Sequence, residues 1–173
     1  MKDLGPKVLA VAVVAGMSLP TLTLSEVVSS SGTHFVLRHE ATSTLPVDEL
    51  WQRLIRPELW WHPNHTYSGN SENLSLNAEA GGIWLESWRG GSVAHGTVLY
   101  VREGEVLRLN APFGPLQGLG AYTIWTITIS PDGNGSRIVF DEVANGPPSA
   151  NLAELAGAVD SVKTEAIGRL AQQ

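Results

Sequence analysis

The sequence predicts an α+β fold: one curved antiparallel sheet of seven strands wrapped on a long C-terminal helix, with two short helices after the first strand. Three observations predict it. From Leu152 to Leu170 apolar residues recur at intervals of three and four, which makes one apolar stripe on a helix. Between residues 74 and 144, short β-branched and aromatic runs are separated by turn signals such as Gly90-Gly91 and Asp132-Gly133-Asn134-Gly135. Hairpin-length turns join strands antiparallel, so these runs form a meander. The chain has 173 residues, 43 % of them hydrophobic, which suits one domain with one core. A lone helix with one apolar stripe then packs on the concave face of that sheet.

The elements follow in order. Lys2 and Lys7 precede a twelve-residue uncharged run, Val8 to Leu19, that Pro20 stops. That run is shorter than the ~20 residues of a spanning helix and matches the apolar region of an export signal. Residues 1–25 are therefore expected to be a signal peptide, 26–32 a Ser-rich tether and 33–173 the folded domain, periplasmic or secreted, with no membrane span in the mature chain. Residues 33–42 alternate, with Phe35, Leu37, His39 and Ala41 on one face of a strand. Helices are expected over 47–55 and 57–61, and a polar loop over 62–73. Strands are expected over 74–79, 83–88, 93–101, 106–110, 121–130 and 137–144. Residues 111–120 read as a Pro/Gly loop with exposed apolar side chains. The helix over 151–171 is expected to start on Asn151 as N-cap, with Glu154 three residues later as in a capping box.

Composition excludes several functions. The net charge is −6, so the chain lacks the basic footprint of a nucleic-acid binder. Without cysteine there is no disulfide, thiolate metal site or thiol nucleophile. No P-loop, dinucleotide fingerprint or serine-nucleophile elbow is present, so no cofactor is expected. His62 and His65 stand three apart near Glu58, but on a proline-split loop rather than at the fixed helical spacing of a zinc motif, and no metal is expected either.

Within this order, Gly81-Gly82-Ile83-Trp84 precedes an aromatic strand. Gly96-Thr97-Val98 leads through an acidic turn into Glu105-Val106-Leu107-Arg108-Leu109. Leu50-Trp51 to Leu54 is followed by Pro57 to Trp61. Over about residues 33–172 this pattern resembles the START-like or SRPBCC superfamily of helix-grip proteins, which includes polyketide cyclases. It is most similar there to the branch named for the activator of the heat-shock chaperone ATPase. The resemblance implies a cavity between sheet and helix that holds a small hydrophobic ligand. A cyclase- or hydrolase-like enzyme in the same cavity, or a protein-interaction domain, are its alternatives.

Candidate site residues follow from that cavity and from residue chemistry. Six Trp, against three Phe and three Tyr, are an unusual aromatic supply. Trp84, Trp88, Trp125, Tyr122 and Phe113 offer apolar faces for a ligand, or core packing. Trp60, Trp61, His65 and Tyr67 crowd a loop at the expected cavity mouth, where His65 is a candidate acid or base. Glu86, between Trp84 and Trp88 on one strand face, is either a carboxylate in an apolar wall or a surface residue. In the wall, burial would raise its pKa and suit it to acid–base work. His95 lies across the Gly90-Gly91 hairpin and completes the catalytic candidates.

Overall fold

The computed structural model describes residues 24–172; the leader assigned to 1–25 lies outside these except for its last two positions. The chain forms one eight-stranded antiparallel sheet in the order β1-β2-β8-β7-β6-β5-β4-β3. Its strands are β1 (Leu24–Ser31), β2 (His34–Ser43), β3 (Leu74–Leu76), β4 (Ile83–Trp88), β5 (Gly91–Arg102), β6 (Val106–Asn110), β7 (Tyr122–Asp132) and β8 (Gly135–Asn145). Helix α1 (Val47–Leu54) and three 3₁₀ turns separate β2 from β3, one turn of helix α2 (Pro115–Gly118) interrupts β6–β7, and α3 (Leu152–Ala171) ends the fold.

The eighth strand is β1, built from residues expected to be a tether. All eight of its residues are exposed, so it carries no apolar alternation to read. It is a strand because its backbone pairs with β2 from Leu24↔Glu40 to Ser31↔His34. Asn151 is the N-cap residue of α3 as expected, but not through its side chain. Asn151 has φ 45° and its side chain makes no capping hydrogen bond; the backbone N–H of Glu154 bonds to the Asn151 carbonyl instead.

The interior is one aromatic-rich core beneath the C-terminal half of α3, with a smaller cluster of Phe35, Leu37, Leu116, Ala144, Leu152 and Ala156 beneath its N-terminal half. Leu155, Val159 and Val162, assigned to the buried stripe, are only partly buried. They line an open space between helix and sheet. Two glycines of the recognised pattern are required by close approach. A Cβ on Gly82 would lie 2.0 Å from the Asn77 carbonyl oxygen, and one on Gly96 would lie 2.8 Å from both the Ala111 Cβ and the Asn110 carbonyl oxygen.

Candidate functional site

Two buried acid–base pairs stand on the inner side of this sheet. The first is Glu86 with His95. β4 alternates as expected, so Trp84 and Glu86 point inward and are fully buried. His95 reaches the same side through a β-bulge: Trp84 pairs with Gly96 and Leu85 with Ala94, which leaves His95 unpaired between them. A bulge re-aims one side chain, and His95 and Gly96 are accordingly both buried in succession.

His95 Nε2 is 2.8 Å from Glu86 Oε2. The Glu86 carboxylate also accepts the backbone N–H groups of Tyr67 and Ser68. Burial pushes its pKa up, but the Ser68 side chain, those two N–H groups and His95 together outweigh burial and hold it below its ordinary value. The expected upward shift is thus reversed by hydrogen bonding to the charged form. Burial likewise lowers His95, with Glu86 opposing. The pair is an ionised carboxylate anchoring the 62–73 loop to the sheet. His95 is not among the residues lining the open space; its ring stacks 5.0 Å from that of Phe113, which is.

The tryptophans mostly fill the interior themselves. Trp60, Trp61, Trp84 and Trp125 are buried together, with Trp60 and Trp61 edge-on to Trp84 and Trp84 stacked on Trp125 at 5.8 Å. Trp60 Nε1 donates to the Leu54 carbonyl and Trp61 Nε1 to that of His65. The Trp84 and Trp125 N–H groups have no hydrogen-bond partner. Trp88 is half-buried at the end of β4, its ring lying where a Cβ on Gly91 would sit. Tyr67 is exposed, and its hydroxyl donates to the Gly114 carbonyl. Tyr122 does not join the set: it is 51 % exposed, while Thr123 and Trp125 face inward. Residues 122 and 125 differ by an odd number, so a regular strand cannot present both to one face.

The remaining space is a cavity of about 260 Å³ between α2, the loop before it and the N-terminal half of α3. Trp61, His65, Phe113, Leu116, Leu155, Val159 and Val162 form much of its wall, and Glu142 and Lys163 close it. These two are the second buried pair, each about 1 % exposed. Lys163 Nζ lies 2.9 Å from Glu142 Oε2, 3.1 Å from the Trp125 ring centroid and 5.1 Å from that of Phe113. The contact is an ion pair by distance, and it is the one polar contact the Nζ makes among the described residues. Burial lowers the Lys163 pKa, with Glu142 opposing.

Sequence reasoning missed this pair, and signals for both members were present. Glu142 shares the inward parity of Ile138, Phe140 and Ala144 on β8. Lys163 is the only lysine after Lys7 in a chain that otherwise uses arginine. It is flanked by Val159 and Ile167, each four positions away on the apolar face of α3.

His65, the third catalytic candidate, lies at the cavity wall with Nε2 2.8 Å from Glu165 Oε2. His62 is 3.7 Å from the other Glu165 oxygen. The acidic neighbour of the two histidines is thus Glu165 of α3; Glu58 pairs with Arg56 instead. The three candidate ligand atoms lie within 4.8 Å of one another. His62 Nδ1, however, accepts the Asn64 backbone N–H, which puts the ring proton on Nε2 and opposes coordination there. His39 is buried with Nε2 2.9 Å from Asp160 Oδ1 on α3, a strand-to-helix tie.

No family model matches the chain, and no curated protein matches it in sequence. Solved structures do match its shape. A Rhodobacter sphaeroides protein superposes with a TM-score of 0.55 at 17 % identity, over 86 % of this chain and 96 % of that one. CalU16 from Micromonospora echinospora gives 0.51 at 14 %, over 88 % and 87 %. DynU16, from the dynemicin biosynthetic locus, gives 0.54 at 17 %, over 79 % of this chain and 45 % of that one. At these identities the likeness is one of fold: an antiparallel sheet with a long C-terminal helix.

Proposed function

We propose that this chain binds a small, largely apolar molecule in the cavity under α3, with a polar end of that molecule against Lys163 and Glu142. The observation that carries the reading is the cavity itself: apolar walls with one buried ion pair in the lining, the ammonium having one polar partner among the described residues for its three N–H groups. Binding clefts are mostly apolar with a few placed polar groups. At about 260 Å³ the space falls just below the usual range of roughly 300–1,000 Å³, so the ligand is small. Two larger surface concavities, beside β1–β2 and beside α1, are walled by exposed or half-buried side chains and hold no buried titratable pair.

The enzyme reading centred on Glu86 and His95 loses its support, because that carboxylate is occupied by the loop it anchors. Two glycines of the chaperone-activator resemblance, Gly82 and Gly96, are accounted for by close backbone approach. Export to the periplasm or medium is part of the proposal, on the strength of the Lys2–Pro20 segment. N-terminal sequencing of protein from its host should start near Glu26, and a start at Met1 would remove that part.

An environment-sensitive probe such as 1-anilinonaphthalene-8-sulfonate tests the cavity. Saturable fluorescence displaced by small apolar competitors is expected, and Val159→Trp, which fills the space, should abolish it in a protein that still melts cooperatively. Equal binding by the filled variant would move the ligand elsewhere.

A further inference from the structure

Lys163 differs from every other cation described in this molecule. Residues 24–172 contain eight arginines and this one lysine, and the lysine alone is buried in the core. An arginine would serve better if the role were a permanent charge for Glu142, since its planar guanidinium forks onto a carboxylate and stays charged. A lysine amine instead loses its proton readily when buried, and desolvation in an apolar pocket is one of the ways a lysine becomes a nucleophile. Here the Nζ, itself buried, sits over the Trp125 ring and 2.9 Å from one carboxylate oxygen, its one polar partner among the described residues, on a residue that lines the cavity.

Resting on the binding reading above, we propose that Lys163 condenses with a small apolar aldehyde or ketone in the cavity to form a Schiff base, with Glu142 carrying the proton. The ammonium passes one proton to the Glu142 carboxylate. The freed Nζ lone pair attacks the carbonyl carbon, forming the C–N bond while the carbonyl π electrons move to oxygen. One further amine proton transfers to that oxygen, giving a neutral carbinolamine. Glu142, now the acid, delivers its proton to the hydroxyl, the C–O bond breaks, and water leaves as the nitrogen lone pair forms the C=N bond. The product is the protonated imine beside the Glu142 carboxylate, so the charge pattern of the resting pair is restored. Ammonium and carbonyl become iminium and water, with no other reactant. The adjacent Trp125 face accommodates the cationic iminium as it does the ammonium.

The test incubates the whole chain with octanal or cinnamaldehyde and sodium cyanoborohydride, then maps the modified peptides by mass spectrometry. Occupancy of the cavity is followed in parallel by displacement of 1-anilinonaphthalene-8-sulfonate, with the aldehyde and with its alcohol. One reduced adduct on Lys163, saturating with aldehyde over the same range that displaces the fluorophore, is expected. Glu142→Gln should slow the adduct when compared at equal cavity occupancy, read from its own displacement curve. Lys163→Arg should lose the adduct, whatever its own displacement curve; if that variant does not fold, the mapped position in the unmodified chain still decides. Displacement by aldehyde and alcohol alike with no Lys163 adduct would overturn the condensation and leave the binding reading standing. Adducts confined to Lys2, Lys7 or the terminal amine would do the same. Displacement by neither would remove both.

Discussion

Glu86–His95 and Lys163–Glu142 are both buried pairs of opposite potential charge, and the chain treats them differently. Glu86 accepts from His95 and from two backbone N–H groups of the loop ahead of β3, so its lone pairs are engaged and the loop is held. Lys163 and Glu142 meet at 2.9 Å, the one polar contact the ammonium makes among the described residues, and both residues line a cavity. Burial costs a charged group several kcal/mol, and full hydrogen bonding offsets that cost. A pair whose carboxylate is taken up by several donors inside the protein is a fastening. One with capacity left over, at the edge of a void, is available to something that enters.

Removing partners separates the two. Glu86→Ala strands His95 and the Tyr67 and Ser68 N–H groups, and should cost at least about 3–5 kcal/mol by urea denaturation, since breaking a buried pair and orphaning donors both destabilise. Replacing both partners with Leu should not restore stability, because the two backbone donors still lack an acceptor. Lys163→Met alone should also cost about 3–5 kcal/mol by leaving Glu142 buried without its partner. Adding Glu142→Leu should recover most or all of it, since well-packed apolar pairs often equal or exceed the ion pairs they replace. Identical behaviour of the two double variants would erase the distinction between fastening and site.

Acid should attack the fastenings. His39 and His95 are both held below their ordinary value, first by burial, with Asp160 and Glu86 opposing. Between the native pKa and about 6.5 the unfolded chain therefore binds more protons than the native one. Stability is complete above that window and falls as pH drops through it, by up to about 1.4 kcal/mol per pH unit for each histidine. Glu86, held low, contributes stability above its unfolded value of 4.5 that is lost below it. Urea midpoints at pH 7.5, 6.5 and 5.5 should decline in order; flat midpoints would mean that neither histidine is held neutral by the fold.

Gly96→Ala probes the bulge that delivers His95. The new methyl would meet Ala111 Cβ and the Asn110 carbonyl oxygen at 2.8 Å, and overpacking of this kind costs about 1–3 kcal/mol. A melting curve unchanged from the parent would show that the neighbouring chain gives way without strain.

The fold was legible where periodicity was strong. β6 and α1 lie within one residue of expectation, and the inward face of β4 follows from alternation alone. β1 was illegible because both of its faces meet water, so pairing rather than patterning makes it a strand. His95 was found as a neighbour of Glu86 across a hairpin, but its inward turn depends on a bulge, which is a three-dimensional event. Lys163 was hidden by the rule that makes helices readable: a charged residue within an apolar stripe is discounted as an interruption. Its rarity in the composition, rather than its position, was the available signal.

The smallest effect tests the sheet parity that excludes Tyr122 from the site. Tyr122 opens β7 on the outward face and is 51 % exposed, whereas Thr123 and Trp125 are buried. Tyr122→Thr keeps a strand-favouring residue and removes only surface ring, so its stability change should stay within about 0.5 kcal/mol. Fluorophore affinity should be unchanged, because Tyr122 does not line the cavity. Phe113→Leu makes the counterpart. That ring stacks on His95 and Trp61 and borders the cavity, so trimming it should alter fluorophore affinity while the sheet stays folded. If Tyr122→Thr weakened binding as much as Phe113→Leu, the outward face would be part of the binding surface, and the contrast between a closed fastening and an open site would have to be redrawn around the other side of the sheet.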